Sequence, residues 1–391
     1  MALALDRRPR QAASVAVRRL ALVDFRGYVQ MRLEVDPRPV VLTGPNGAGK
    51  TNLLEAISFL APGRGLRRAR LGEVDRIGGA GPWSVAARLE APGGAVAIRT
   101  GRAQDGERER RLLQIDGSDV ESQAVLAEVV AVVWLVPALD RLFQDGAGER
   151  RRFLDRLVVS SDPAHAAQLA RYAHAVRQRA QLLRAGRLDP SWLGALERQA
   201  AAAGVAVAAA RRETVRGLAA ALGDPPAGFP QPDLALEGEV EAWLGAASAL
   251  EAEERFGAAL AAARRQDAET GFTAIGPHRS DLLAHDRASG RPARDCSTGQ
   301  QKALLVSLIL AEARLRAAAG ERQPLLLLDE VAAHLDAARR AALLEAVCAL
   351  GAQAWLTGTD AATFAPLGAR AQFFTVQDAT LKAYDPTHPA H

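Results

Sequence analysis

The chain has 391 residues, enough for one large domain or two modest ones. It carries 49 Lys+Arg against 45 Asp+Glu, a formal net charge of +4. At 24% charged it is no disordered polyelectrolyte, and much of its 49% hydrophobic content is alanine, which chiefly favours helix. No run approaches the ~20 apolar residues of a membrane span, and the start lacks a secretory apolar region and cleavage site. An organellar leader is not excluded by composition, although Asp6 and Pro9 interrupt an amphipathic helix there. Cys296 and Cys348 fit neither a disulfide framework nor a metal spacing, so a reduced, cytoplasmic chain is expected.

Val15 to Val35 reads as two short strands around Gly27, and Pro39–Thr43 as a third, followed by a Gly-rich turn and a helix from Lys50 to Leu60. Ser84–Glu90 and Ala95–Thr100 read as a hairpin across Ala91–Gly94, and Val129–Val136 as a buried strand closed by Pro137. Leu139 to Arg265 is Ala/Arg/Leu-rich with helical spacing, broken at Gly186–Pro190 and Gly223–Pro232; Glu149–Asp155 opens one of its helices. Alternating elements return from Phe272, with strands at Thr273–Ile275, Asp281–His285, Leu325–Leu328 and Ala354–Thr357, and helices at Gln300–Ala318 and Ala337–Leu350. Such alternation predicts an α/β fold with a mainly parallel sheet.

The strongest chemical signal is Gly44-Pro45-Asn46-Gly47-Ala48-Gly49-Lys50-Thr51, which matches G-x-x-x-x-G-K-[ST] between an apolar strand and a helix. Its glycines let backbone N–H groups close on phosphate oxygens, and the helix N-terminus adds positive potential. Lys50 would neutralise β/γ-phosphate charge, and Thr51 would bring its hydroxyl to Mg²⁺. Only three residues of the chain are Lys (Lys50, Lys302 and Lys382), so a chance match is improbable. The second signal is Pro324-Leu-Leu-Leu-Leu-Asp329-Glu330, a doubly buried strand ending in two acids. There Asp329 would hold Mg²⁺, usually through water, and Glu330 would polarise an attacking water as general base.

Ser297-Thr298-Gly299-Gln300 opens a helix ahead of that acidic strand and resembles the signature of ATP-binding-cassette ATPases. The resemblance implies that Ser297, Gly299 and Gln300 serve the γ-phosphate held by a second subunit. Val331 to Asp336 resembles the D-loop, with His334 and Asp336, and the resemblance assigns the switch position to Thr359 or its neighbour Thr357. The stretch from Thr51 to Leu325 is longer than a transporter nucleotide domain would place there, which favours the SMC and RecF branch. Leu20–Tyr28, Asn52–Ile57, Gly63–Arg67, Pro137–Asp155 and Gly276–Leu282 resemble blocks of the RecF family in order; Ala138, Gly148 and the first 14 residues depart from the pattern.

That resemblance implies an ABC-type P-loop ATPase head (lobe I) with an inserted, mainly helical lobe II. The expected layout is an extension at 1–14, lobe I at 15–137, lobe II at 138–270, the remaining head at 271–384, and a disordered tail at 385–391. The implied activity is slow, switch-like ATP hydrolysis with Mg²⁺ in recombinational repair and the SOS response. It would be coupled to an ATP-dependent homodimer on gapped or junction DNA, with RecR and RecO as partners and no membrane. Arg64, Arg67, Arg68 and Arg70 form a basic cluster that reads either as a contact for DNA phosphates or as a solvated basic face. The alternatives are a transporter's nucleotide-binding subunit, another SMC-like ATPase, or a small-molecule kinase.

Overall fold

The computed structural model describes residues 14–105, 108–186, 189–223 and 228–385. The expected extension, Ser14 apart, and the expected tail beyond Asp385 lie outside them. In chain order the strands and helices begin with β1 (Ala16–Phe25), β2 (Tyr28–Glu34), β3 (Val40–Thr43) and α1 (Lys50–Ser58). Then come β4 (Ser84–Ala91), β5 (Gly94–Asp105), β6 (Arg108–Ile115), β7 (Ser118–Asp119), α2 (Val125–Val129) and β8 (Val132–Leu135). The middle of the chain forms α3 (Ala147–Ser161), α4 (Ala164–Arg184), α5 (Pro190–Ala221), β9 (Pro232–Glu237), α6 (Glu239–Ala246), α7 (Ala249–Ala262) and α8 (Arg264–Thr270). Last are β10 (Asp281–Asp286), α9 (Thr298–Ala318), β11 (Leu325–Leu328), α10 (Ala337–Leu350), β12 (Ala354–Gly358), β13 (Gln372–Gln377) and β14 (Thr380–Ala383).

The chain divides into two compact units. The first holds the described residues up to Pro137, Gly228, and those from Ile309 on. The second holds the rest, up to Leu308. Where the sequence reading closes the helical insertion at residue 270, this second unit continues to Leu308.

The first unit is built on two six-stranded sheets. One, ordered β14-β13-β3-β12-β11-β8, is parallel except for β14. Its inner strands β3, β11 and β12 are buried throughout, as continuous apolar runs covered on both faces require. The other, β2-β1-β4-β5-β6-β7, is antiparallel. Gln353 ties the two: its Oε1 accepts from Val17 N–H at 2.8 Å, and its Nε2 donates to Val17 O at 3.0 Å. Phe25, Phe59 and Trp83 meet edge-on or tilted at 4.8–6.0 Å, pinning the antiparallel sheet to the end of α1. Each such pair adds about 0.5–1.5 kcal/mol beyond area burial.

The second unit packs α4, α5 and α7 around Tyr172, Ala175, Ala200, Ala208 and Phe256. The Ala-rich centre of α5 permits close approach; a Cβ on Gly204 would lie 2.7 Å from the Phe256 ring. Arg179, fully buried, joins three elements by pairing with Glu197 at 3.0 Å and Asp267 at 2.6 Å. β9 and β10 form a separate antiparallel ribbon.

The structure departs from the sequence reading in identifiable places. Thr273–Ile275 is a loop: Ala274 N–H is taken by the Asp267 side chain at 3.0 Å and Thr273 O by His278 Nε2 at 2.9 Å, leaving no ladder to join. β8 starts only at Val132, because Val125–Val129 turns as α2. The sequence pattern turns β between Trp83 and Asp119 without delimiting β6 or β7, and it does not mark β9, β13 or β14. β6, for example, carries four charged residues, and only its partner β5 reveals its alternation.

Candidate functional site

The site lies at the carboxyl ends of β3, β11 and β12, where an open parallel sheet presents its loops. After Thr43 the chain turns through Gly44 at φ 145° and Gly49 at φ 113°. A Cβ at Gly44 would lie 2.1 Å from the Val376 carbonyl oxygen, and one at Gly49 would lie 2.9 Å from the Tyr28 hydroxyl. Both glycines are therefore demanded by conformation and by space. Tyr28 Oη donates to Gly49 O at 3.1 Å, and burial pushes its phenol well above the ordinary tyrosine range. On the far side, Ala379 N–H in the β13–β14 turn donates to Ala48 O at 3.0 Å.

Lys50 is buried and folds back, its Nζ donating to Gly44 O at 2.7 Å and Pro45 O at 3.0 Å, 3.7 Å from Glu330 Oε1. Thr51 Oγ1 donates to the Asp329 carboxylate, 2.9 and 3.0 Å from its two oxygens. Asp329 also receives Thr357 Oγ1 at 2.7 Å, and Thr357 Oγ1 accepts the Glu330 N–H at 2.9 Å. Glu330 adopts φ 49°, a left-handed conformation that costs a non-glycine residue about 1–3 kcal/mol and is concentrated at functional sites. A hydroxyl beside a carboxylate is a set of hard oxygen donors suited to Mg²⁺.

Other expected residues are placed less directly. Thr359 is exposed, and Thr357, not Thr359, touches Asp329. Thr357 reaches across because it lies inside β12, next to β11 in the sheet. His334 is exposed at φ 64°, whereas Asp336 is used as the N-cap of α10, accepting Arg339 N–H at 2.8 Å.

In the second unit, Ser297 and Gln300 form a reciprocal box at the start of α9. Gln300 N–H donates to Ser297 Oγ at 3.3 Å and Ser297 N–H to Gln300 Oε1 at 3.0 Å. Such a cap contributes about 1 kcal/mol to the helix. It leaves Ser297 and Thr298 exposed at the helix N-terminus, with Gly299 beside them half-buried. One turn on, buried Lys302 lies 3.4 Å from Asp140 Oδ2.

Of the four arginines expected to meet DNA, Arg67 is engaged: its Nη1 donates to Glu55 Oε2 at 2.7 Å and Asn52 Oδ1 at 2.8 Å. Arg64, Arg68 and Arg70 are exposed. Sequence reasoning missed the partner that explains Arg67. Glu55 is wholly buried on α1 and also holds Arg26, at 2.7 and 2.9 Å. Arg26 and Glu55 stand in two of the resemblance blocks, which was the available signal, but which residue pairs with which is a property of the fold.

These sheets, the glycine-rich loop and the acidic strand end define a P-loop head of the RecF/RecN/SMC class, and the RecF/RecN/SMC N-terminal domain family matches residues 16–381. The chain is 50% identical over 372 residues to the DNA replication and repair protein RecF of Allorhizobium ampelinum, covering 95% of this chain and 99% of that one. It is 49% identical to the protein so named in Mesorhizobium japonicum, covering 94% and 98%. A solved structure of the recombination mediator protein RecF-ATP in the RecFOR pathway superposes with a TM-score of 0.81 at 22% identity, over 95% of this chain and all of that one. The chain belongs to the RecF family. Among the described residues, no helix is long and apolar enough to cross a membrane.

Proposed function

We propose that this chain is a cytoplasmic, ATP-gated DNA clamp of recombinational and replication-gap repair. The observation that carries the reading is the convergence of the Thr51 and Thr357 hydroxyls on Asp329, with Glu330 tied to Thr357 beside a phosphate-loop lysine. On this reading ATP is the substrate, cradled by the N–H groups of Gly44–Thr51. Lys50 exchanges its loop carbonyls for phosphate oxygens. Thr51 and Asp329 hold Mg²⁺, which supplies charge neutralisation at the phosphates when bound. Glu330, set at a fixed angle by its left-handed backbone and by Thr357, accepts the proton of the attacking water.

Ser297, Gly299 and Gln300 of a second copy complete each site, offering the exposed positive end of α9 to the γ-phosphate. Binding energy then closes two chains on DNA, and slow hydrolysis releases them. Arg64, Arg68 and Arg70 supply non-specific phosphate contacts at gapped or junction DNA. Partnership with RecR and RecO is proposed from the pathway named for the similar solved protein.

The test is sedimentation with and without ATP–Mg²⁺ and gapped duplex. The expected result is a monomer that dimerises on ATP, a Lys50→Ala protein that stays monomeric, and a Glu330→Gln protein that binds ATP and persists as a dimer. A chain that stays monomeric under saturating non-hydrolysable triphosphate overturns the shared-site reading.

A further inference from the structure

The second unit contains a cavity of about 360 Å³ that the nucleotide chemistry does not use. It falls in the range of roughly 300–1,000 Å³ typical of ligand pockets. Its floor is aliphatic. Leu169, Ala173 and Val176 lie at helical spacing along α4, and Val207 faces the same space from α5. The three α4 residues are only partly buried, so the stripe lacks a full cover.

Its wall is cationic. Four arginines line it against a single carboxylate, Asp155. Two are already neutralised: Arg211 is bidentate to Asp155 at 2.7 and 2.9 Å, and Arg152 pairs with Glu149. Arg151 reaches a carbonyl only, Ser280 O at 2.6 Å. Burial and the charge of Arg211 depress its pKa, and Arg279 adds to this; Asp281 and Asp155, both paired elsewhere, counter it in part. Arg177 stands exposed, with no acidic partner among the described residues.

The geometry points to a docking site for an acidic peptide segment of a partner protein. One large apolar side chain of that segment would rest on the Leu169–Val176 stripe and Val207, and flanking carboxylates would meet Arg151 and Arg177. Helix-lined apolar grooves with a charged rim are read by such segments. Charge complementarity favours an anion, and the aliphatic floor favours a hydrophobic anchor over a nucleic acid strand. Bases need an open aromatic face to stack on. Of the two aromatic rings lining the cavity, Tyr172 is 5% exposed with its hydroxyl committed to His278 Nδ1 at 2.6 Å, and His278 packs on that ring with its Nε2 held by Thr273 O at 2.9 Å.

The test is fluorescence anisotropy on the full chain, using short fluorescein-labelled peptides of Asp and Glu with a central Leu, Phe or Trp. The controls are an all-acidic peptide and oligothymidylate. At least one anchored peptide is expected to bind saturably and better than the all-acidic one. Arg177→Glu should weaken it about tenfold or more through reversed rim charge, and Ala173→Trp should abolish it by filling the floor. Arg198→Glu, the same charge change at an exposed α5 position away from the cavity, should leave it unchanged. Should Ala173→Trp melt early, Arg177→Glu carries the test. Absence of binding by all three anchored peptides overturns the proposal. So does an equal effect of Arg198→Glu, or displacement by oligothymidylate, which would make the cavity part of the DNA path.

Discussion

Thr357 donates its hydroxyl to Asp329 at 2.7 Å and accepts the backbone N–H of Glu330 at 2.9 Å, so one side chain on β12 orients both acids that follow β11. Thr357→Val keeps the shape and strips the hydrogen bonds. Leaving the Glu330 N–H unpaired should cost about 1–3 kcal/mol of stability. Phosphate release should fall while nucleotide affinity is retained, and Thr357→Ser should restore both. A Thr357→Val protein with unchanged melting and turnover would show that the hydroxyl does not position Glu330.

The Arg26–Glu55–Arg67 triad makes a second prediction, because Glu55 is fully buried and holds two guanidiniums. Glu55→Ala strands a partly buried Arg26 and should destabilise by about 3–5 kcal/mol. Arg67→Ala, at a more exposed arm, should cost under about 1 kcal/mol. The same geometry ranks the arginines toward DNA. Removing Arg64 or Arg68 should lower the salt dependence of binding by about one counterion each, with little effect from Arg67. Equal effects from all three would mean that Arg67 leaves Glu55 when DNA arrives.

Gly49 offers a test that separates crowding from backbone strain. The Cβ of Gly49→Ala would lie 2.9 Å from Tyr28 Oη, so the substitution should disturb the phosphate loop and weaken nucleotide binding. Adding Tyr28→Phe relieves the clash but not the φ of 113°. Only part of the loss should return in a double-mutant cycle on nucleotide affinity. Full rescue would place the whole cost in the tyrosine contact.

The phosphate loop, the acidic strand end and α10 were legible because each is a local pattern, a fixed spacing of glycines or an unbroken apolar run. α10 falls on Ala337–Leu350, as its spacing predicts. What stayed hidden depends on partners distant in sequence. Arg111 is one example. It sits on β6, a strand whose charges hide its alternation, yet it is nearly buried without a carboxylate. Its guanidinium donates to the carbonyls of Ala61, Gly63 and Phe59 at the end of the α1 segment, and burial pulls its pKa down to about 10. A cation at the C-terminal end of a helix is favourable, but no local pattern names the strand that supplies it. The choice of Thr357 over Thr359 has the same origin, since facing β11 is a matter of register.

His278 yields a prediction in pH. Its Nε2 donates to Thr273 O at 2.9 Å and its Nδ1 accepts from the Tyr172 hydroxyl at 2.6 Å, so the packed ring is neutral. Burial pushes its pKa below the ordinary histidine value, with the Thr273 carbonyl opposing in part and Arg279 and Arg151 adding to the depression. The unfolded chain therefore takes up a proton near pH 6.5 that the folded chain resists. Stability from this group is full above about pH 6.5 and declines as pH falls toward the lower folded value. Denaturant melts of the natural chain should lose more stability between about pH 7.5 and 5.5 than those of His278→Gln, a window chosen above the carboxylate range. Parallel losses in the two proteins would mean that the ring protonates in place and Tyr172 turns its hydroxyl to suit.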